Sequence, residues 1–124
     1  MRLAFAFLAA TSAALSPVII VPGDGSNQLE AKLVDKPATP HWYCSKNADW
    51  YRIWLDATDL VATTDCWSDN IKLALNGSAS RNMPGVSTRV PFFGSTEGFE
   101  ELDPAIPFKG SAAFSAMVEA LVKE

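Results

Sequence analysis

A glycine-rich turn near the start of the chain, Pro22–Gly25, has a composition that could do chemistry, because its backbone can adopt positive φ and present N–H groups to a ligand. A dinucleotide site would need a third glycine where Gln28 stands, so that interpretation is weak. A phosphate loop would need a Lys-Ser/Thr pair after the glycines, and none follows. The third interpretation is an oxyanion hole, in which a backbone N–H stabilises the tetrahedral intermediate of acyl transfer.

The elements around this turn must position it. The β-branched run Val18–Val21 predicts a strand that is buried on both faces. The turn would then lie at the carboxyl end of that strand, where α/β sheets bind their ligands. Leu29–Leu33, which follows the polar exit from the turn, has a helix-compatible composition.

The sequence lacks the other parts of an acyl-transfer site. A Gly-x-Ser-x-Gly nucleophile elbow does not occur, and the single histidine, His41, precedes any candidate nucleophile, whereas α/β hydrolases have their histidine last. We therefore expect His41 to be packed and hydrogen-bonded rather than catalytic. Cys44, Cys66 and His41 do not make a four-ligand set, so neither a metal nor an organic cofactor is predicted.

Composition and the N-terminus indicate the compartment. Residues 1–16 combine one positive charge at Arg2, an apolar run and small residues near the end, which is typical of a secretory signal peptide. A membrane anchor is the alternative, but the run is too short to span a bilayer of about 30 Å. With 10 Lys+Arg against 14 Asp+Glu and no basic cluster, the chain is not expected to bind nucleic acid.

In an oxidising compartment Cys44 and Cys66 are expected to form a disulfide, worth about 3 kcal/mol in the chain-entropy model. Asn76-Gly77-Ser78 is the only N-glycosylation sequon, and we expect it on an exposed turn.

Aromatic residues crowd the segment between and beside the cysteines. All four tryptophans lie there: Trp42, Trp50, Trp54 and Trp67. Two interpretations stay open on composition alone. The rings could fill the local core of a disulfide-stapled excursion far from the main sheet, or they could form a partly exposed flap that contacts lipid or an apolar substrate.

The rest of the chain supplies secondary structure without further chemistry. Asp69–Leu75 alternates polar and apolar residues, and Val86–Val90 is β-branched, so both predict strands. From Ser111, which could supply an N-cap, the spacing predicts a helix with one apolar stripe. The stripe consists of Phe114, Met117, Val118, Leu121 and Val122. A helix with so little sheet to cover predicts an incomplete domain.

Several segments, in this order, resemble the lecithin:cholesterol acyltransferase family and in particular its lysosomal phospholipase branch. They are PVIIVPGDGSNQLEAKL, HWYC, IWLD, DCWSDNIKL, the Asn-x-Ser sequon, RVPFFG and ELDP. The resemblance covers nearly all of residues 17–123 and roughly the N-terminal third of a family member. This chain departs from the family pattern at Gly25-Ser26 and Phe92, and between its cysteines it looks slightly short.

The resemblance implies the N-terminal part of an α/β-hydrolase fold with a disulfide-stapled lid and an incomplete sheet. Such an enzyme moves an acyl chain from a phospholipid, through a serine acyl-enzyme, to a sterol, a ceramide or water. Asp24 matches the residue whose backbone N–H serves the oxyanion hole, and Cys44 and Cys66 match the ends of the lid. Trp54 matches a lid tryptophan implicated in lipid engagement, and Asn76 matches a glycosylated position.

These expectations combine into one hypothesis. Residues 1–16 are a signal peptide, residues 17–124 are the front part of a hydrolase domain, and residues 44–66 are its lid, with Trp54 and Trp50 contacting lipid. The chain would carry the oxyanion turn and lid without the catalytic triad, so alone it is expected to be inactive and poorly folded. The protein would be secreted or lysosomal and would act at a membrane or lipoprotein surface. The alternative is a small secreted, non-catalytic lipid-binding module.

Overall fold

The computed structural model describes residues 16–107 and 111–123. Its strands are β1 (Leu29–Leu33), β2 (Ala48–Trp54), β3 (Leu73–Asn76), β4 (Ala79–Asn82) and β5 (Val86–Arg89). Its helices are α1 (Ala57–Ala62), α2 (Thr64–Ile71), α3 (Glu97–Glu100) and α4 (Ser115–Val122). Strands β2, β1 and β5 form an antiparallel sheet in that order, and β3 and β4 form a separate antiparallel hairpin.

Strand β1 lies at the centre of the three-stranded sheet and has one buried face. Ala31 and Leu33 point into the core, while Glu30 pairs in register with Arg52 on one side and Arg89 on the other. The apolar side chains that are buried among the described residues are Ala31, Leu33, Cys44, Ile53, Val86 and Val118. The core is therefore small and is centred on this sheet.

Leu29–Leu33 has a helix-compatible composition but forms the strand β1. Every residue there has a reasonable helix propensity, but the apolar positions recur with period two, which is the period of a strand with one buried face. Pairing with both β2 and β5 then overrides local propensity.

The buried strand predicted at Val18–Val21 was wrong. The segment forms no regular element, and Ile19 is 86% exposed. A strand that is buried on both faces needs neighbouring strands, and no described strand pairs with this segment. Val18, Ile19 and Ile20 instead line one wall of an open groove of about 510 Å³, whose other wall contains residues 90–96. We call residues 18–22 and 90–99, with the space between them, the apolar groove.

The two strands predicted later in the chain had different outcomes. Val86–Val90 is confirmed as a strand, β5, one residue shorter than expected. Asp69–Leu75 is divided between the end of α2 and the start of β3, so a strand over the whole stretch was wrong.

Helix α4 is present but begins later than Ser111. The Ser111 hydroxyl is used elsewhere, because it donates to the Asp103 carbonyl at 2.7 Å and accepts from the Asp103 N–H at 2.9 Å. Phe114 is the N-cap and makes no side-chain capping bond. Of the predicted stripe, Val118 is buried and Leu121 is exposed, so the helix covers the core with a narrow part of its apolar face.

A buried lysine joins the segment after β1 to helix α2. Lys36 is 4% exposed, and its ammonium donates to Asp69 Oδ2 and to Asn70 Oδ1, each at 2.5 Å. The backbone passes so close to Gly85 that a Cβ there would lie 2.6 Å from the Lys36 Cα, and Gly85 has a φ of +78°. Glycine is thus required at this crossing.

The predicted signal peptide lies outside the described residues except for Ser16. Among the helices that the structure does describe, none is long and apolar enough to cross a bilayer.

Candidate functional site

The glycine-rich turn has a defined geometry. The Ser26 N–H donates to the Gly23 carbonyl at 3.1 Å, and Gly25, the third residue of the turn, has a φ of +71°. This combination is characteristic of a type II β-turn, in which the third position favours glycine. Asp24 occupies the exposed second position, and within the described residues its backbone N–H has no hydrogen-bond partner. The turn therefore presents the Asp24 N–H as a donor.

Trp54, at the end of strand β2, lies directly against this turn. Its indole Nε1–H donates to the Gly25 carbonyl at 2.8 Å. A Cβ added at Gly25 would be 3.5 Å from Trp54 Cζ2, so the ring packs along the turn as well as bonding to it. The structure thus brings together two residues that the sequence had singled out separately, Asp24 and Trp54.

The predicted disulfide is confirmed. Cys44 and Cys66 are joined with an S–S distance of 2.00 Å, and they close what we call the disulfide loop, residues 44–66. Trp67, next to Cys66, donates its indole N–H to the Ile53 carbonyl at 2.8 Å, and its ring centroid is 6.3 Å from that of Trp54. Sequence reasoning had not assigned Trp67 a contact, although its place beside a bridged cysteine was a usable signal.

The disulfide loop is not an excursion far from the sheet. Its first part contains β2, seven residues long, which pairs with β1 along its length. Its second part contains α1, whose N-cap Asp56 accepts the N–H groups of Thr58 and Asp59 through Oδ1. The loop is thus a strand and a helix joined to the sheet, with its tip formed by α1 and the turn into α2.

A buried carboxylate fixes the start of α1. Asp103, of the Glu-Leu-Asp-Pro segment, is 2% exposed and accepts from Arg52 Nη2 at 2.8 Å and from the Ala57 N–H at 3.0 Å. Arg52 also donates through Nε to the Leu55 carbonyl at 2.8 Å. These residues were missed at the sequence level, because an acidic residue before proline in a loop has the same appearance whether it is solvated or buried.

Trp50 lies apart from the turn. It is on the polar side of β2, where the Arg89 guanidinium is 4.2 Å from its ring centroid and is also bonded to Glu30 at 2.7 Å. A cation over an aromatic face is a stabilising contact in its own right. Trp42, by contrast, is 95% exposed beside the disulfide.

His41 makes a pair with Asp65, Nε2 to Oδ2 at 2.8 Å, and stacks on Tyr43 with ring centroids 4.9 Å apart. The Asp65 side chain is largely exposed, whereas that of His41 is about half-buried. No serine hydroxyl is bonded to the ring within the described residues, so the geometry gives His41 no nucleophile to activate. In the same part of the chain, no group of three or more His, Cys, Asp or Glu side chains is arranged to hold a metal ion.

Ionisable groups near the disulfide loop are perturbed by their surroundings. Burial raises the pKa of Tyr51, although the hydrogen bond from Asn70 opposes the shift. Desolvation would raise the pKa of Asp69, but the ammonium groups of Lys36 and Lys72 outweigh it, so the net shift is downward. Tyr51 and Asn70 contribute to a cavity of about 280 Å³ that is also lined by both bridged cysteines.

The sequon lies on an exposed hairpin. Asn76 is the last residue of β3 and faces Ala79 across the two-residue turn Gly77-Ser78. Gly77 has a φ of +65°, as the first central position of a type II′ hairpin turn requires. The Asn76 side chain is therefore accessible to a glycosylating enzyme.

Comparisons with known proteins agree with one another. The profile of the lecithin:cholesterol acyltransferase family matches residues 50–124. The lysosomal phospholipase A and acyltransferase of Homo sapiens is 48% identical over 110 residues, which cover 86% of this chain and 26% of that protein. The phosphatidylcholine-sterol acyltransferase of Mus musculus is 50% identical over 91 residues, which cover 70% of this chain and 20% of that protein.

The chain therefore spans about a quarter of the length of the first of these relatives and about a fifth of the second. Because the match to the human protein covers 86% of this chain, it includes the glycine-rich turn whichever end it omits, and the family profile includes residues 50–66 of the disulfide loop.

Proposed function

This chain belongs to the lecithin:cholesterol acyltransferase family, and from that membership we propose that it is part of a lipid O-acyltransferase or phospholipase A. The enzyme would have an α/β-hydrolase fold and would transfer a phospholipid acyl chain, through a serine acyl-enzyme, to a sterol, a ceramide or water. The alternatives for its acyl acceptor, and for a secreted or lysosomal destination, correspond to the two kinds of relative, the phosphatidylcholine-sterol acyltransferase and the lysosomal phospholipase A and acyltransferase.

In this proposal each feature of the site has a role. The Asp24 backbone N–H donates to the oxyanion, and the disulfide loop is the lid over the substrate. Trp54 and Trp50 contribute aromatic surface near the lipid, and Asn76 carries a glycan outside the site. The substrates are met at a membrane or lipoprotein surface.

The observation that best supports the proposal is the type II turn in which Asp24 is exposed and its N–H has no partner among the described residues. Oxyanion stabilisation needs a donor that is already oriented and has no internal acceptor, because reorganisation during the reaction would cost rate. The absence of an internal acceptor for the Asp24 N–H among the described residues supports this role.

A chimeric enzyme tests this role. The matched 110-residue segment of the Homo sapiens lysosomal phospholipase A and acyltransferase is exchanged for that of this chain, and phospholipid acyl transfer is measured. Asp24→Pro then removes the N–H at the second position of a type II turn, where proline is well tolerated. We expect kcat to fall by about 10²- to 10³-fold, the usual effect of losing one oxyanion donor.

Asp24→Ala is the matched control, because it removes the exposed carboxylate and keeps the N–H; its kcat should stay within about twofold of the unsubstituted chimera. Equal losses in the two variants would contradict the backbone role. A folded chimera without any activity would contradict the proposed function itself.

A non-catalytic lipid-binding module is the second candidate, and the exposed aromatic surface favours it, since Trp42 and Phe93 are each 95% exposed. It predicts that the isolated chain binds phosphatidylcholine vesicles and that the chimera is inactive. Vesicle binding together with an active chimera would leave the enzyme as the better explanation.

A further inference from the structure

We propose that Trp54 is a positioning residue for the glycine-rich turn, and that its indole N–H sets the direction and donor strength of the Asp24 N–H. The inference deepens the proposed function and depends on it for its catalytic consequence. Its structural part depends only on contacts within the described chain. It assigns to the indole N–H a role that is distinct from any contact between the Trp54 ring and lipid.

Three hydrogen-bonding groups are connected in series. The Trp54 Nε1–H donates to the carbonyl of Gly25, which belongs to the same planar peptide unit as the Ser26 N–H. The Ser26 N–H donates to the carbonyl of Gly23, which belongs to the same peptide unit as the Asp24 N–H. The indole thus lies at one end of a chain of two peptide units, and the free donor of Asp24 lies at the other.

This connection has two physical consequences. First, the peptide unit between Gly25 and Ser26 is held at both ends, so the turn cannot flip that plane without losing two hydrogen bonds. Second, hydrogen bonds in series polarise one another, so donation into the Gly25 carbonyl makes the next N–H in the chain a better donor. Both effects favour a fixed, strong donor at Asp24, which is what an oxyanion hole requires.

Trp54 is itself held by the disulfide loop. Its ring lies beside that of Trp67, whose own N–H is bonded to the Ile53 carbonyl and whose neighbour Cys66 is bridged to Cys44. In this proposal the disulfide loop supplies the indole N–H that orients the glycine-rich turn.

The test must remove the indole N–H and keep the ring. Trp54→3-benzothienylalanine does this, because sulfur replaces the N–H in a side chain of nearly the same shape, and Trp54→Phe is a simpler second variant. The matched control is the same replacement at Trp50, whose indole N–H makes no hydrogen bond among the described residues. The full oxidised chain is used, and the solvent exchange of the Ser26 N–H is measured by NMR.

We expect Ser26 exchange to accelerate by about fivefold to tenfold in the Trp54 isostere, the usual effect of losing one hydrogen bond. The 15N shift of Asp24 should move as well, since its peptide unit is less polarised. The Trp50 isostere should leave both unchanged. A folded Trp54 isostere with Ser26 exchange and Asp24 shift equal to those of the parent would overturn the proposal.

The catalytic consequence is measured in the chimera. Loss of a positioning bond should lower kcat by about tenfold and leave KM for phospholipid vesicles unchanged, whereas loss of a lipid contact should raise KM. Because the exchange measurement uses this chain alone, it decides the role of Trp54 even where an inactive chimera has already ruled out the proposed function.

Discussion

The large side chains of two regions of this small molecule differ in their surroundings. Around the disulfide loop, Trp54, Trp67, the buried lysine and the buried aspartate have specific hydrogen-bond partners, and Ile53 in the sheet beneath them is 1% exposed. Along the apolar groove, Val18, Ile19 and Phe93 are exposed. The chain thus contains one region stabilised by its own contacts and one whose apolar surface is left uncovered.

The difference shows which parts of the sequence specify structure locally. In the disulfide loop, Trp67 bonds to a residue 14 positions away and Trp54 is brought to Gly25 by the pairing of β1 with β2, so the chain itself supplies their partners. The Val18–Val21 run is as apolar as any core strand, yet it has no described strand to pair with. A hydrophobic sequence specifies a buried strand only when its neighbours are present.

Two isoleucines measure this contrast most directly. Ile53 is 1% exposed within the sheet, and Ile19 is 86% exposed on the groove. We expect Ile53→Ala to lower the free energy of unfolding by about 4 kcal/mol, through lost burial and a cavity. Ile19→Ala should change it by less than about 0.5 kcal/mol. Urea denaturation followed by tryptophan fluorescence provides both values.

A large cost at Ile19 would break the comparison, because it would mean that the groove is packed in solution. A small cost at Ile53 would show that the sheet does not contribute to the cooperative unit of this chain.

Two lysines allow the same comparison between buried and exposed charged side chains. Lys36→Met removes a buried ammonium and leaves Asp69 without its inner partner, so we expect a loss of about 3 kcal/mol in unfolding free energy. Lys32→Met removes an exposed ion pair with Asp49 and should have no measurable effect. Thermal denaturation at low and high salt distinguishes the two, since a buried pair is screened much less than an exposed one. Equal effects would mean that Lys36 is solvated rather than buried.

Much of this architecture was predictable from the sequence, and the predictions that failed did so for physical reasons. The disulfide, β5 and the helix near the C-terminus follow from cysteine context, β-branched residues and a 3.6-residue period. The helix-compatible composition of β1 was misleading because five residues are too few for propensity to outweigh pairing on both edges. Local sequence signals were sufficient to predict an element whose structure depends on its own residues. They were insufficient for a strand whose structure depends on pairing with other strands.

The candidate site shows the same limit. A turn at Pro22–Gly25 was predictable from its glycines, but its type II geometry and the absence of a strand before it were not, and the importance of Trp54 came from the family resemblance. That the Trp54 indole bonds to the Gly25 carbonyl was not predictable, because the two residues are 29 positions apart and meet only through β1–β2 pairing. The same applies to Arg52 and Asp103, 51 positions apart.

The smallest expected effect is on the decline of the unfolding free energy at acidic pH. Because Lys36 and Lys72 lower the pKa of Asp69, its ionised form is favoured in the folded state. The resulting stability is fully present above the ordinary aspartate pKa of about 3.9 and is lost as pH falls through the lowered value. Asp69→Asn should therefore flatten the decline in unfolding free energy below about pH 4, by less than the Lys36→Met effect.

Asp49 gives the matched control for this titration. Its pKa is also lowered, chiefly by the hydrogen bond from Lys32, but the group is fully exposed. At about 1 M NaCl the Debye length is about 3 Å, so the contribution of Asp49 should disappear while that of the partly buried Asp69 persists. If Asp69→Asn and Asp49→Asn had the same pH profile at high salt, the Lys36–Asp69 pair would be no more protected from solvent than a surface ion pair.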